Sequence, residues 1–154
     1  MRFVIVAAFA LAAASSLNAQ PTAGTVDLAY ATPIGGAWTY APTSGGSQAS
    51  FVNATGLPQV IIRCTRLTRR VAIIKNAPAP ISTLWVWTSS QARTLPASFN
   101  TATGQAIAEL PAFDGLLDAV AASRGRIGFS TPGVAALVVP PWSEVGRVIE
   151  DCRV

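Results

Sequence analysis

The sequence contains no histidine. That absence removes the usual general base, the Ser-His and Cys-His nucleophile pairs and the commonest transition-metal ligand. Lys75 is the single lysine, and Ser-x-x-Lys is missing because Ala72 stands three residues before it. Two cysteines, Cys64 and Cys152, are too few for a structural zinc site without other soft ligands. Neither a phosphate-binding P-loop nor G-x-G-x-x-G occurs, and the Gly-Gly pairs at 35–36 and 45–46 read as loop residues. Acids are scarce as well, 7 against 11 basic side chains. The high pI therefore reflects few acids rather than many bases, and the small net charge argues against nucleic-acid binding. No cofactor and no metal are expected.

What the chain does have begins with its N-terminus, MRFVIVAAFALAAASSLNAQ. Arg2 supplies a short positive region, Phe3 to Ala14 an uncharged apolar run, and Leu17-Asn18-Ala19 a small-residue ending. This is the layout of a secretory signal peptide over 1–19, cleaved near Ala19. The apolar run is short for a bilayer span, so no transmembrane segment is expected in the mature chain. Arginine far outnumbers lysine and alanine is abundant, a bias that points to GC-rich coding, a bacterial source and the periplasm. The remaining length suits one domain with a real core. Residues 20–36 read as a flexible lead-in, and 37–154 as a single β-rich domain.

Short β-like runs alternate with turn signals from Ala37 onward. Strands are expected at Ala37–Tyr40, Ala49–Val52, Gln59–Thr65, Arg70–Lys75 and Thr83–Thr88, with weaker ones at Ala92–Leu95 and Gln105–Leu110. The third and fourth flank a short polar connection and form a hairpin. The period then changes: Phe113, Leu116, Leu117, Val120 and Ala121 fall on one face of a helix. Pro111 suits its start, Asp114 its first turn and Gly125 its C-terminal cap. Arg126–Thr131 and Ala135–Val139 return to strand. A last helix follows Pro140-Pro141, with Trp142, Val145, Val148, Ile149 and Cys152 on its buried side. Arg147 stands within ion-pair reach of Glu144, Glu150 and Asp151 on the other side. The expected fold class is α+β, mainly β: an antiparallel sandwich or barrel-like sheet, with two C-terminal helices flanking a hairpin.

An exported chain meets an oxidising compartment, where two buried thiols usually pair. A Cys64–Cys152 disulfide would pin the last helix to the sheet. Three further groups carry possible chemistry. Asp114 and Asp118 lie four apart on one helix and would share a proton or ion if they converged, though a solvated helix face is the plainer reading. Arg63, Arg66, Arg69 and Arg70 cluster on the hairpin, and Arg124 and Arg126 bracket a turn. Guanidinium groups gathered this way receive a phosphate, a carboxylate or an acidic partner surface, or else serve as ordinary surface charge. Trp85 and Trp87 share one side of a strand, as do Trp38 and Tyr40. Exposed, such pairs stack on sugars or apolar peptide; buried, the commoner case, they are core. Trp142 is expected to pack the last helix onto the sheet.

The run LLDAVAASRGRIGFSTPGVAALVVPPWSEVGRVIEDCR resembles a group of small exported bacterial proteins of unknown function. They share a helix followed by SRGR-x-x-F/V, then P-x-W-x-E-x-x-R and a terminal EDCR. Here those positions are Ser123, Arg124, Gly125, Arg126 and Phe129; Pro140, Trp142, Glu144 and Arg147; and Glu150 to Arg153. The element order is more distantly similar to periplasmic β-rich modules such as the invasion-associated locus B proteins and type VI secretion accessory proteins. Neither resemblance implies an activity. The reading that follows is a non-catalytic periplasmic binding or protein-interaction module whose partner is an envelope protein or a small anionic ligand. The alternatives are a small hydrolase built on carboxylates and arginines, and a structural cell-envelope factor.

Overall fold

The computed structural model describes residues 28–154; the expected signal peptide and the first part of the lead-in lie outside the described residues. The chain runs through β1 (Gly36–Thr43), β2 (Gly46–Asn53), β3 (Pro58–Thr65), β4 (Arg70–Asn76) and β5 (Thr83–Trp87). There follow β6 (Ala92–Pro96), β7 (Ser98–Asn100), β8 (Gln105–Pro111) and α1 (Gly115–Ala121). The chain ends with β9 (Ile127–Ser130), β10 (Leu137–Val139) and α2 (Ser143–Asp151). One sheet has six strands in the order β1-β2-β3-β4-β8-β7, the other four in the order β10-β9-β5-β6. Every pairing is antiparallel. Over the described residues the fold is therefore mainly β with two helices, two sheets and no closed barrel.

Alternation along the strands builds the core. On β3 the inward residues are Val60, Ile62 and Cys64, and on β4 Val71 and Ile73. The register sets Ile62 opposite Ile73 and Cys64 opposite Val71, so branched side chains meet in pairs. The smaller sheet contributes Leu84, Val86, Leu95, Ile127, Phe129 and Val139 from its inner face. At one flank the chain changes sheets between β6 and β7, where the Ala97 N–H bonds to the Ser82 carbonyl at 2.8 Å. The Trp38 indole N–H donates to the Pro140 carbonyl at 2.8 Å, and its ring meets Phe51 edge-on at 5.5 Å. α2 packs on β1, β2 and β3 and against α1.

Lys75 continues the inward face of β4 and is 7% exposed. Burial lowers its pKa, and its ammonium donates to the Asn76 carbonyl at 3.3 Å. Strand pairing demanded the position, and the long side chain carries its charge out to a backbone oxygen.

Several local expectations are corrected. α1 starts only at Gly115, because the Asp114 carboxylate caps it by accepting the Leu116 N–H at 2.8 Å. Phe113 therefore precedes the helix and is 64% exposed rather than on its buried face. The helix also ends early, at Ala121, so Gly125 (φ 79°) shapes the following turn instead of capping it. Trp142 is the residue before α2 and lies 43% exposed, not against the sheet. Arg147 is not paired across its own helix: its guanidinium lies 3.8 Å over the Tyr40 ring. The β3–β4 connection is a 3-10 turn over Arg66–Thr68, closed by Arg69 in the left-handed region at φ 48°. β7 has three residues, below what alternation in the sequence can register.

The Cys64–Cys152 disulfide is present, with the two Cα atoms 5.4 Å apart. It joins the inner face of β3 to the end of α2. Among the described residues no helix is long and apolar enough to cross a membrane.

Candidate functional site

Trp85 and Trp87 are not core. β5 directs Leu84 and Val86 inward, fully buried, so both tryptophans stand half-buried on the outer face of the smaller sheet. Across β9 the register sets Trp85 beside Ser130 and Trp87 beside Gly128. β10 adds Val138 next to Gly128. Trp38, by contrast, is core, 4% exposed, and Tyr40 packs partly against that core. Burial splits the two aromatic pairs, since one strand faces α2 and the other has its tryptophans turned outward.

Beside Trp87 two turns are fastened to each other by serines. The Ser89 N–H donates to the Ser123 hydroxyl at 3.0 Å, and the Arg124 N–H donates to the Ser89 hydroxyl at 2.9 Å. Ser123 in turn donates to the Arg126 carbonyl at 2.7 Å. On the other side of the β5–β6 turn, Thr88 holds Gln91 through bonds in both directions, and the Gln91 amide reaches the Gly115 carbonyl. The SRGR turn is thus held to the β5–β6 hairpin across sequence separations of 34 and 35. The result is an open cleft of about 290 Å³ lined by Ala29, Trp87, Ser89, Arg124 and Arg126.

The two arginines differ. Arg126 is half-buried and donates from Nη1 to the Ala29 carbonyl, while its buried Nε has no partner among the described residues. The Arg124 side chain is exposed and makes no hydrogen bond or ion pair among the described residues. No acid occurs on β5, β6, β9 or β10. The cleft therefore offers unfilled guanidinium donors beside an aromatic face, which suits a planar or tetrahedral anion.

The hairpin arginines form no comparable site. Arg63 donates to Gln48, Arg66 to the Asp151 carbonyl, and Arg70 to Glu109 at 3.3 Å. Arg69 serves the turn through its backbone, its carbonyl accepting the Ala112 N–H. Nor do the acids converge. Asp114 is taken by Arg93 at 2.7 Å and Asp118 by Arg153 at 2.6 Å. Burial works to raise the Asp114 pKa, but hydrogen bonds from Arg93 and the Leu116 N–H, with the Arg93 charge, hold it below the usual range.

Sequence reasoning missed Ser89, Gly128 and Leu28. Leu28 is 3% exposed and fills the space above Gly128, where an added Cβ would collide with Leu28 Cδ1. The lead-in is thus fastened from Leu28 on, and the Ile34 N–H donates to the Val138 carbonyl at 2.9 Å. A lone glycine between Ile127 and Phe129 in a strand was the available signal, since it marks a close approach. The chain matches no protein-family model, no curated protein and no solved structure.

Proposed function

We propose that this protein is an exported, non-catalytic binding module that takes an anionic group at the Arg124–Arg126–Trp87 cleft. The observation that carries the reading is the meeting of these three residues, with Ser89, around one open cleft. Support also comes from the serine clasp, which fixes the cleft in shape before any ligand arrives. A preorganised site loses less ordering entropy on binding. The acids a hydrolase would need are each engaged by a different arginine, so they offer no shared proton. The likeness of the SRGR turn to small exported bacterial proteins fits the same reading, as does the N-terminal leader pattern. The occupant is a small anion or an acidic group on an envelope protein.

Amide-shift titration of the full chain with inorganic phosphate, acetate and succinate at fixed ionic strength tests it. Saturable shifts at the Trp87 indole and at the 123–126 amides are expected, and Arg124→Gln with Arg126→Gln should abolish them. Shifts that survive the double substitution, or none at all, would point instead to a structural envelope role.

A further inference from the structure

The cleft already has a guest from its own chain. Leu28 sits in the notch over Gly128, between Trp87 and Val138, and the next residue's carbonyl receives the Arg126 Nη1 bond. Six residues after Leu28 the Ile34 N–H bonds to the β10 edge. A turn at 28–30 thus docks on the sheet through one side chain in a notch and one carbonyl on a guanidinium, the two contacts that the end of a short peptide can also make.

The guest leaves the cations underused. A backbone carbonyl is neutral and takes only the Nη1 donor of Arg126. Arg124 beside it has no partner among the described residues. A carboxylate at the position of the Ala29 carbonyl would bring a second oxygen to the terminal Nη pair of Arg126, and a charge to set against both guanidiniums. An inorganic anion would satisfy the arginines but leave the Gly128 notch empty. The chemistry that fills both is a peptide C-terminus.

We infer that the cleft recognises the free C-terminal end of a peptide whose penultimate residue is leucine-like, and that Leu28-Ala29 occupies it as an internal stand-in. This rests on the reading of Arg124 and Arg126 as an anion site. The penultimate side chain fills the notch and the terminal carboxylate replaces the Ala29 carbonyl on Arg126. Because stand-in and ligand compete for the same atoms, the apparent affinity of the ligand falls with the fraction of chains in which the stand-in is seated.

The test titrates the full chain with acetyl-Ala-Ala-Leu-Ala as the free acid, as the C-terminal amide, and with the leucine replaced by alanine. The acid should bind with shifts at Trp87 and 123–126, and the amide and the all-alanine acid each about tenfold more weakly or worse. Leu28→Ala, which removes the competitor, should tighten the acid about tenfold, and Gly128→Val, which fills the notch, should abolish binding. Equal binding of acid and amide in the wild-type chain overturns the inference without any variant, as does Leu28→Ala leaving affinity unchanged or lower. Phosphate shifts at 123–126 with no response to the peptide sink this inference and spare the anion site. Silence to both sinks the two together.

Discussion

Arginine does opposite work at the two ends of this molecule. Around the C-terminal tail every guanidinium is used. Arg153 donates to the Ala112 carbonyl at 2.9 Å, to Glu150 at 3.0 Å and to Asp118 at 2.6 Å. Arg66 reaches the Asp151 carbonyl, and Arg147 lies on Tyr40, whose hydroxyl donates to Asp151 at 2.7 Å. At the outer face of the smaller sheet, among the described residues, Arg124 has no such partner and Arg126 has one neutral oxygen. The difference follows the acids, which among the described residues lie on β8, on α1 and its cap, and on α2, with none on the strands behind the cleft. Where acids and carbonyls surround an arginine, its charge is spent on holding the fold. Where they are withheld, the charge is left for something outside the chain.

The sharpest way to test that division is to cut the tail's covalent tie. Cys64–Cys152 closes a loop with a sequence separation of 88. Chain entropy for such a loop suggests a loss of about 4–5 kcal/mol on Cys64→Ser with Cys152→Ser, the largest effect expected of any substitution here. Urea unfolding should show it, with the amides of α2 the first to lose exchange protection. Unaltered stability would mean that the arginine contacts alone hold the tail.

A smaller effect is expected at the Tyr40–Asp151 bond. The buried Ser47 hydroxyl, which lies against the Asp151 carboxylate without a well-formed hydrogen bond, is the foremost cause of its lowered pKa. Burial opposes it, while the Tyr40 bond and the charges of Arg66 and Arg147 add to the lowering. A carboxyl lowered on folding adds stability that is fully present above its unfolded value, about 3.9, and is lost as pH falls through the folded value. Tyr40→Phe should cost about 1 kcal/mol at neutral pH. Asp151→Asn should flatten the acid limb of stability against pH, leaving the part due to Asp114, whose carboxyl is lowered in the same sense. An acid limb identical to the wild type would remove Asp151 from the tail's support.

These two regions were unequally legible in the sequence. The tail was readable because strand alternation and helical spacing both act through burial: Cys64 fell on the inner face of β3 and Cys152 on the stripe of α2. The face of a strand pair was harder. Trp85-Val86-Trp87 alternates cleanly, but alternation says that neighbours face opposite ways and not which way is in. The stronger apolarity of tryptophan favoured the wrong side, and Leu84 and Val86 took the core. Arg124 and Arg126 were singled out by spacing, yet their meeting with Trp87 depends on the Ser89–Ser123 clasp, a contact between turns that no local pattern encodes. Helix ends failed for a related reason. A cap at Asp114 shortens α1 and leaves Phe113 outside, although periodicity alone extends the helix to include it.

The smallest expected effect bears most directly on the comparison. Arg124→Gln with Arg126→Gln removes two charges that hold no acid among the described residues, so the loss in stability should stay within about 0.5 kcal/mol. In a thermal melt of a chain this size that is a shift of no more than about 2 °C. The amide introduced by Arg126→Gln can still offer an N–H to the Ala29 carbonyl, which keeps the one existing bond replaceable. Arg153→Gln is the matching change in the tail, where it would strip Asp118, Glu150 and the Ala112 carbonyl of a shared donor. That substitution should cost about 1–2 kcal/mol, since Arg153 is mostly buried and the three acceptors lose it together. If the cleft substitutions destabilise as much as the tail one, Arg124 and Arg126 are structural like the rest and the division between spent and unspent arginines fails. If only the tail substitution does, the cleft arginines contribute nothing the fold requires, and their placement beside the half-buried Trp87 is explained by what they bind.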